Sequence, residues 1–335
     1  MILPILPSCT DAARPRPLRV HPGGVCAYHE PFPCSRRRGP IMNPGIAYAL
    51  GAYIVWGMFP LYFRLLESVP APQILAHRMV WSALLVLLIL LALRRWSWVR
   101  QVYRQPAVLG RFTASALVLA CNWLTYIWSV NNGHVVEASL GYYINPLMNV
   151  ALGTVLLHER MRPLQWAAVA VAAVGVLWMA FGVGHMPWLA LILAVSFSSY
   201  SLLRKIAPLG SLEGLALETA VLLPLALLYL GWTSLQGSNA FSLGDLDFKL
   251  LLMASGPVTA IPLLMFAAGA RRIPFSLLGI LQYTTPTLLL VLGVTVYHEA
   301  FGPSKALGFG LVWAGIALYI AESMLRRRRP GQAPA

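Results

Sequence analysis

The chain has 335 residues, of which 58% are hydrophobic and only 11% charged, with a formal net charge of +14 and a mean hydropathy of +0.69. A soluble globule carries roughly 25% charged residues, so a water-facing exterior is excluded and lipid must solvate most of the outside. The basic excess forms no single patch but punctuates the gaps between apolar runs, as membrane topology signals do, so nucleic acid is not an expected partner.

Residues 1–41 read differently from the rest. Pro and Arg recur, Arg36, Arg37 and Arg38 among them, and prolines interrupt the short apolar start. A secretory signal needs a basic start and an apolar run of about 7–15 residues, which this segment lacks. It is expected to be disordered, or to lie upstream of a true start at Met42, which directly precedes the first long apolar run. Three of the four cysteines, Cys9, Cys26 and Cys34, fall here and the fourth is Cys121. No spacing among them implies a zinc site or a disulfide framework, and no metal or other cofactor is expected.

From Gly45 onward, ten runs reach the roughly 20 apolar residues a spanning helix needs. They cover about 45–64, 73–93, 112–130, 135–157, 163–182, 186–203, 213–231, 250–270, 274–297 and 304–324. The connecting segments alternate in charge. One set holds Arg94, Arg95, Arg100, Arg104 and Arg111, then Arg160 and Arg162, then Arg204 and Lys205, then Arg271 and Arg272, then the arginines at 326–329. The opposite set holds Lys249 and Lys305. The basic set is expected on the cytoplasmic side, which places both termini there and requires an even number of spans.

A shift of 140 residues superimposes the two halves. Tyr143 meets Tyr283, Pro146 meets Pro286, Gly153 meets Gly293, His158-Glu159 meets His298-Glu299, Pro163 meets Pro303 and Gly175 meets Gly315. Shared membrane-helix composition explains Gly and Pro but not the His-Glu pairs, so the halves read as a duplication. The expected organisation is 42–183 as a first five-helix repeat, 184–325 as a second, and 326–335 as a basic cytoplasmic tail. Five crossings are odd, so the second copy is inverted. Inverted repeats bind solutes near the midplane and support alternating access. The His-Glu pairs end their helices and, with no second His at metal-ligand spacing, read as features of the fold.

Polar groups within the spans should face the bundle interior. Glu137, Gly141, Asn145 and Asn149 recur every four residues along one helix stripe, with Tyr142, Tyr143 and Pro146 beside it. Asn149 reads equally as a ligand contact or as a bond between helices. Asn122, Tyr126 and Ser129 share a helical spacing near Trp123, and Gln282 and Tyr283 precede Pro286 by one turn. His77 and Arg78 open the second span, where Arg78 either binds an anionic group, pairs with an internal carboxylate or snorkels outward. Glu218 stands in an apolar run of the seventh span. It reads as a proton carrier or as the partner of Arg78 or Arg204.

Trp56-Gly57, His77-Arg78, Asn122-Trp123, the stretch Glu137-Ala-Ser-Leu-Gly-Tyr-Tyr-Ile-Asn-Pro146, Glu218-Thr219 and Gln282-Tyr283 together resemble RarD-type permeases. These belong to the EamA family of the drug/metabolite transporter superfamily. The resemblance covers about 43–325 and is specific across 137–146. It implies an all-α membrane protein of ten transmembrane helices in two inverted five-helix repeats, working as a permease and exporter in the bacterial cytoplasmic membrane.

The expected function is secondary transport of a small organic metabolite or drug. Trp56, His77, Arg78, Asn122, Trp123, Tyr126, Tyr143, Asn145, Gln282 and Tyr283 are expected to bind substrate, and Glu137 and Glu218 to couple it to protons. The lipid bilayer is the other partner, and a homodimer is compatible with the sequence. Two rival readings are an integral-membrane enzyme, which would want acids clustered at one face, and a sensor or assembly subunit, which would want a soluble output domain. No Gly-x4-Gly-Lys-Ser/Thr loop is present for ATP.

Overall fold

The computed structural model describes residues 43–94, 96–132, 134–182, 185–296, 298 and 302–327. The expectations for residues 1–41 and for the tail beyond 327 lie outside the described residues, as does Glu299. Every regular element among the described residues is helical.

The first span is a broken pair, α1 (Pro44–Gly57) and α2 (Phe59–Arg64). α3 (Ala71–Leu93) follows, then a short α4 (Ser97–Arg104), α5 (Pro106–Asn131), α6 (Val135–Val155) and α7 (Pro163–Phe181). The second half holds α8 (Trp188–Ile206), α9 (Ser211–Leu235), a single-turn α10 (Ala240–Leu243) and α11 (Leu246–Ala270). It ends with a second broken pair, α12 (Phe275–Gln282) and α13 (Thr284–Thr295), and α14 (Pro303–Arg327). Nine spans among the described residues are long and apolar enough to cross a bilayer. The tenth, α6, has 21 residues, about 30 Å at 1.5 Å per residue. Its apolar run is interrupted by Glu137, Asn145 and Asn149, the residues that make it informative.

Local chemistry sets several helix starts. Asn43 accepts a hydrogen bond from the Gly45 amide at 2.8 Å, with Pro44 in the first turn. Asp245 accepts from the Phe248 amide at 2.9 Å. These are N-cap bonds that satisfy amides with no helical partner, and proline costs nothing at the first helical position. The third predicted span starts earlier than expected, at Pro106 rather than 112. The helix α4 was not anticipated. It is amphipathic, and its Trp98 and Val102 pack against Val108 and Phe112.

The polarity of the spans is inside out relative to a soluble bundle. On α3, Leu84, Leu87, Leu88 and Leu91 are exposed and share one helical face. Gln73, His77 and Ser82 of the same helix are buried. Lipid solvates the leucines, and neighbouring helices satisfy the polar groups.

Five spans per half make the second half inverted, and the packing follows that symmetry. α3 packs on α9, α6 on α12 and α7 on α14, each with its own repeat counterpart. The other main contacts occur as exchanged pairs: α1 with α11 against α8 with α5, α1 with α12 and α13 against α8 with α6, and α3 with α11 against α9 with α5. Repeat-related positions behave alike. His158 and His298 both adopt a left-handed backbone, with φ of 51° and 55°. A Cβ on Gly175 would stand 2.6 Å from the Gly308 carbonyl oxygen, and one on Gly315 would stand 2.6 Å from that of Ala168. Both glycines therefore admit close approach of α7 and α14.

Candidate functional site

Helix 6's stripe, the two broken spans and four further helices surround one cavity of about 260 Å³. Its walls come from Trp56 of α1, Phe59, Pro60 and Phe63 of α2, Arg78 of α3 and Asn122, Trp123 and Tyr126 of α5. Gly141, Tyr142 and Asn145 of α6, Phe197 of α8 and Thr259 of α11 continue them. Gln282, Thr285 and Pro286 complete the ring at the break between α12 and α13. These residues belong to both halves, and several stand at the breaks between α1 and α2 and between α12 and α13.

Prolines shape the wall. A proline lacks the amide that would bond the carbonyl four residues earlier. Pro60, Pro146 and Pro286 thus forgo bonds to the carbonyls of Trp56, Tyr142 and Gln282, three residues of the cavity. Interrupted helices at the midplane, with backbone acceptors turned to a cavity, are a recurring way to build a transport site.

Arg78 is the charged group of the wall. Its Nε donates to Thr259 Oγ1 at 2.8 Å. Its guanidinium carbon lies 5.1 Å from the ring centre of Trp123, 5.3 Å from that of Phe63 and 5.8 Å from that of Phe59. Arg78 therefore does not snorkel, and among the described residues it pairs with no acid; it is held among aromatic rings facing the cavity. Asn122 Nδ2 donates to the Leu193 carbonyl and to Ser196 Oγ, both at 2.9 Å. Ser198 Oγ donates to Asn145 Oδ1 at 2.6 Å. Thr285, the repeat counterpart of Asn145, donates to the Tyr53 carbonyl at 2.9 Å. The two bonds tie α6 to α8 and α13 to α1, which are equivalent seams.

Of the residues singled out from sequence, the cavity gathers Trp56, Arg78, Asn122, Trp123, Tyr126, Asn145 and Gln282. It does not gather His77, Tyr143 or Tyr283. His77 packs 5.5 Å from Phe241, Tyr143 meets Phe309 at 5.2 Å, and Tyr283 is wholly buried beside Val176 and Val312. On a helix, the residue adjacent to a cavity contact points about 100° away from it, which is how Tyr143 and Tyr283 miss. Asn149 donates to Gln282 Oε1 at 2.7 Å, so it links α6 to α12. Neither acid lines the cavity. Glu137 accepts from the Leu189 amide at 2.8 Å and caps the start of α8. Glu218 accepts from Ser115 Oγ at 2.6 Å and lies 3.6 Å from Arg204 Nη1, with both side chains only 2% exposed. Arg204, not Arg78, is its partner.

Phe59, Phe63, Phe197 and Thr259 are wall residues that the sequence alone did not single out, and Tyr142, noted beside the stripe of α6, joins them. Thr259 carries no local signal, because its role comes from meeting Arg78 across 181 residues.

The helices converge toward the basic end. α12 packs along α6, whereas α13 diverges onto α1. A Cβ on Gly279 would stand 2.6 Å from the Pro146 carbonyl oxygen. Below that crossing, Glu159 accepts from the Phe275 and Ser276 amides at 2.5 and 2.9 Å. Lys205 donates to the Ala270 and Ile273 carbonyls at 3.2 and 2.7 Å.

An interior cavity between two inverted five-helix halves, in a chain whose exterior is lipid-soluble, defines a polytopic membrane permease. The chain belongs to the EamA-like transporter family, whose model matches residues 43–181 and again 186–321. Protein RarD of Streptomyces exfoliatus is 49% identical over 285 residues, covering 85% of this chain and 90% of that one. An uncharacterized transporter of Pseudomonas aeruginosa is 45% identical over 288 residues, covering 86% and 97%. Protein RarD of Escherichia coli is 42% identical over 290 residues, covering 85% and 96%. A solved crystal structure with 22% identity matches at a TM-score of 0.63, covering 84% of this chain and 98% of its own, and shares the fold. The protein is a multi-pass membrane transporter.

Proposed function

We propose that this protein is a secondary active permease that exports a small organic metabolite or drug in exchange for protons. The observation that carries this reading is the cavity itself: lined by aromatic rings with one guanidinium and a few amides, and with walls drawn from both inverted halves. A site so placed can be exposed to either side by rocking one half against the other. The basic connections are assigned to the cytoplasm, of a bacterial inner membrane by analogy with the relatives, with both termini inside. The structure is then an outward-facing one, because the crossing of α6 and α12, Glu159 and Lys205 close the basic end.

Proton exchange is assigned to Glu137 and Glu218, which flank the site without entering it. The pair Arg204–Glu218 joins α8 to α9. Glu218 also accepts from Ser115 of α5, in the other half; if rocking breaks that contact between the halves, Glu218 takes up a proton in one state and releases it in the other. An enzymatic role is disfavoured because the buried acids Glu137, Glu218 and Glu322 engage a helix start or arginines and none of them lines the cavity.

The test is reconstitution of the full chain in vesicles, with a solute found by thermal-shift screening of the purified protein. Saturable accumulation driven by an imposed pH gradient is expected. Flux that does not saturate, or that ignores the gradient, would overturn secondary transport.

A further inference from the structure

We infer that the substrate is a small organic monoanion with an aromatic body, and that its carboxylate is the counter-ion Arg78 lacks among the described residues. This rests on the transport reading above and names the chemistry of the same cavity.

A guanidinium inside a membrane protein is normally paired or aimed at a functional partner, because an uncompensated charge in hydrocarbon is costly. Arg78 is held by neutral groups: Thr259 Oγ1 and three rings. No acid among the described residues lines the cavity. Glu137 caps α8, Glu159 caps α12, Glu218 meets Arg204, and Glu322 meets Arg162 at 2.9 Å. The cavity therefore presents one positive charge and no negative one.

The geometry of that charge is specific. Three ring centres lie within 5.8 Å of the guanidinium carbon and Thr259 takes Nε, while no described residue bonds the two Nη groups, whose fork suits two parallel bonds to a carboxylate. Thr259 occupies Nε, which fixes the plane. Beyond Arg78 the wall is aromatic and aliphatic, with amides at Asn122, Asn145 and Gln282. The volume, about 260 Å³, falls just below the roughly 300–1,000 Å³ of drug-sized sites, so it suits a body of one or two rings. A zwitterionic amino acid would bring an ammonium group that finds carbonyl dipoles here but no carboxylate. A dianion would bring a charge with no second cation.

The test uses a matched series on the full chain in nanodiscs, by calorimetry: 3-phenylpropionate, 3-phenylpropionamide, phenylalanine and phenethylamine. The acid is expected to bind at least about tenfold more tightly than its amide, phenylalanine or the amine, since a hydrogen bond to a charged group outweighs a neutral one by that order. In Arg78→Gln the acid and amide should bind within about twofold of each other, and Arg78→Lys should recover only part of the difference, because an ammonium cannot reproduce the planar fork. The inference is overturned if the amide or phenylalanine matches the acid on the unaltered protein, or if the acid does not bind. That comparison stands even if an Arg78 variant fails to fold. Uptake into vesicles separates the two claims. Binding of the acid without flux would reject the transport reading alone, and saturable flux of the amine or amino acid in preference to the acid would reject the substrate class alone.

Discussion

Asn145 belongs both to the wall of the cavity and to the seam between α6 and α8, where it receives Ser198. Hydrogen bonds between helices in a membrane contribute about 0.6 kcal/mol on average. Asn145→Ala is therefore expected to leave the apo melting temperature nearly unchanged while abolishing the shift produced by any cavity ligand. A retained shift in a differential scanning assay would remove Asn145 from the binding site. Glu218 is a different case. Glu218→Gln keeps an acceptor for Ser115 but leaves Arg204 buried without its charge partner, and breaking such a pair costs about 3–5 kcal/mol. The variant should unfold at a clearly lower temperature. If Glu218 also carries the proton, its transport should lose dependence on external pH in vesicles. A destabilised variant with unaltered pH dependence would show the pair to be structural only. The sequence displayed these residues as polar points in apolar runs, because intramembrane polarity is rare. It left open whether Glu218 met Arg78 or Arg204, because partners brought together by packing leave no trace in local spacing.

At the scale of elements, the spans were legible because a bilayer imposes a minimum apolar length. The broken first and ninth spans were less so. Pro60 and Pro286 marked them, yet the equally marked α6 runs unbroken past Pro146, so proline alone does not decide where a membrane helix separates. The glycine matches between the repeats carry a sharper consequence. Gly175→Leu and Gly315→Leu should each destabilise the α7–α14 crossing by about 1–3 kcal/mol through overpacking. Gly310→Ala lies on the same α14 but meets nothing within 4 Å. It should be neutral, or stabilising by up to about 1 kcal/mol through helix propensity. Thermal unfolding in detergent distinguishes the three variants. Equal effects would mean that Gly175 and Gly315 do not lie at the contact.

At the scale of the whole molecule, inversion predicts opposite exposure for equivalent connections. In a background lacking the native cysteines, an impermeant maleimide applied to intact cells should label Glu67→Cys, after the first span, and not Pro208→Cys, after the sixth. It should likewise label Asp247→Cys and spare Arg104→Cys until the membrane is opened. All four positions are exposed. Labelling of Glu67→Cys and Pro208→Cys from the same side would rule out the inverted arrangement. The proposed outward-facing state, in which the crossing of Gly279 and Pro146 closes the basic end, predicts that Thr285→Cys reacts from the opposite side.

The sequence by itself determined the solvent of this protein, its apolar spans and the duplication, and it carries the charge alternation from which an orientation is proposed. Each follows from properties that repeat along the chain: apolar length, basic connections and a fixed offset of 140 residues. Only the tertiary structure decided which polar residues share a cavity. It moved His77, Tyr143 and Tyr283 out of the wall, brought in Phe59, Phe63 and Thr259, and gave Glu218 to Arg204. The physical reason is rotational. A residue's facing depends on how each helix turns about its own axis, and that angle is fixed by steric fit against helices distant in sequence, such as the approach of Gly279 to Pro146.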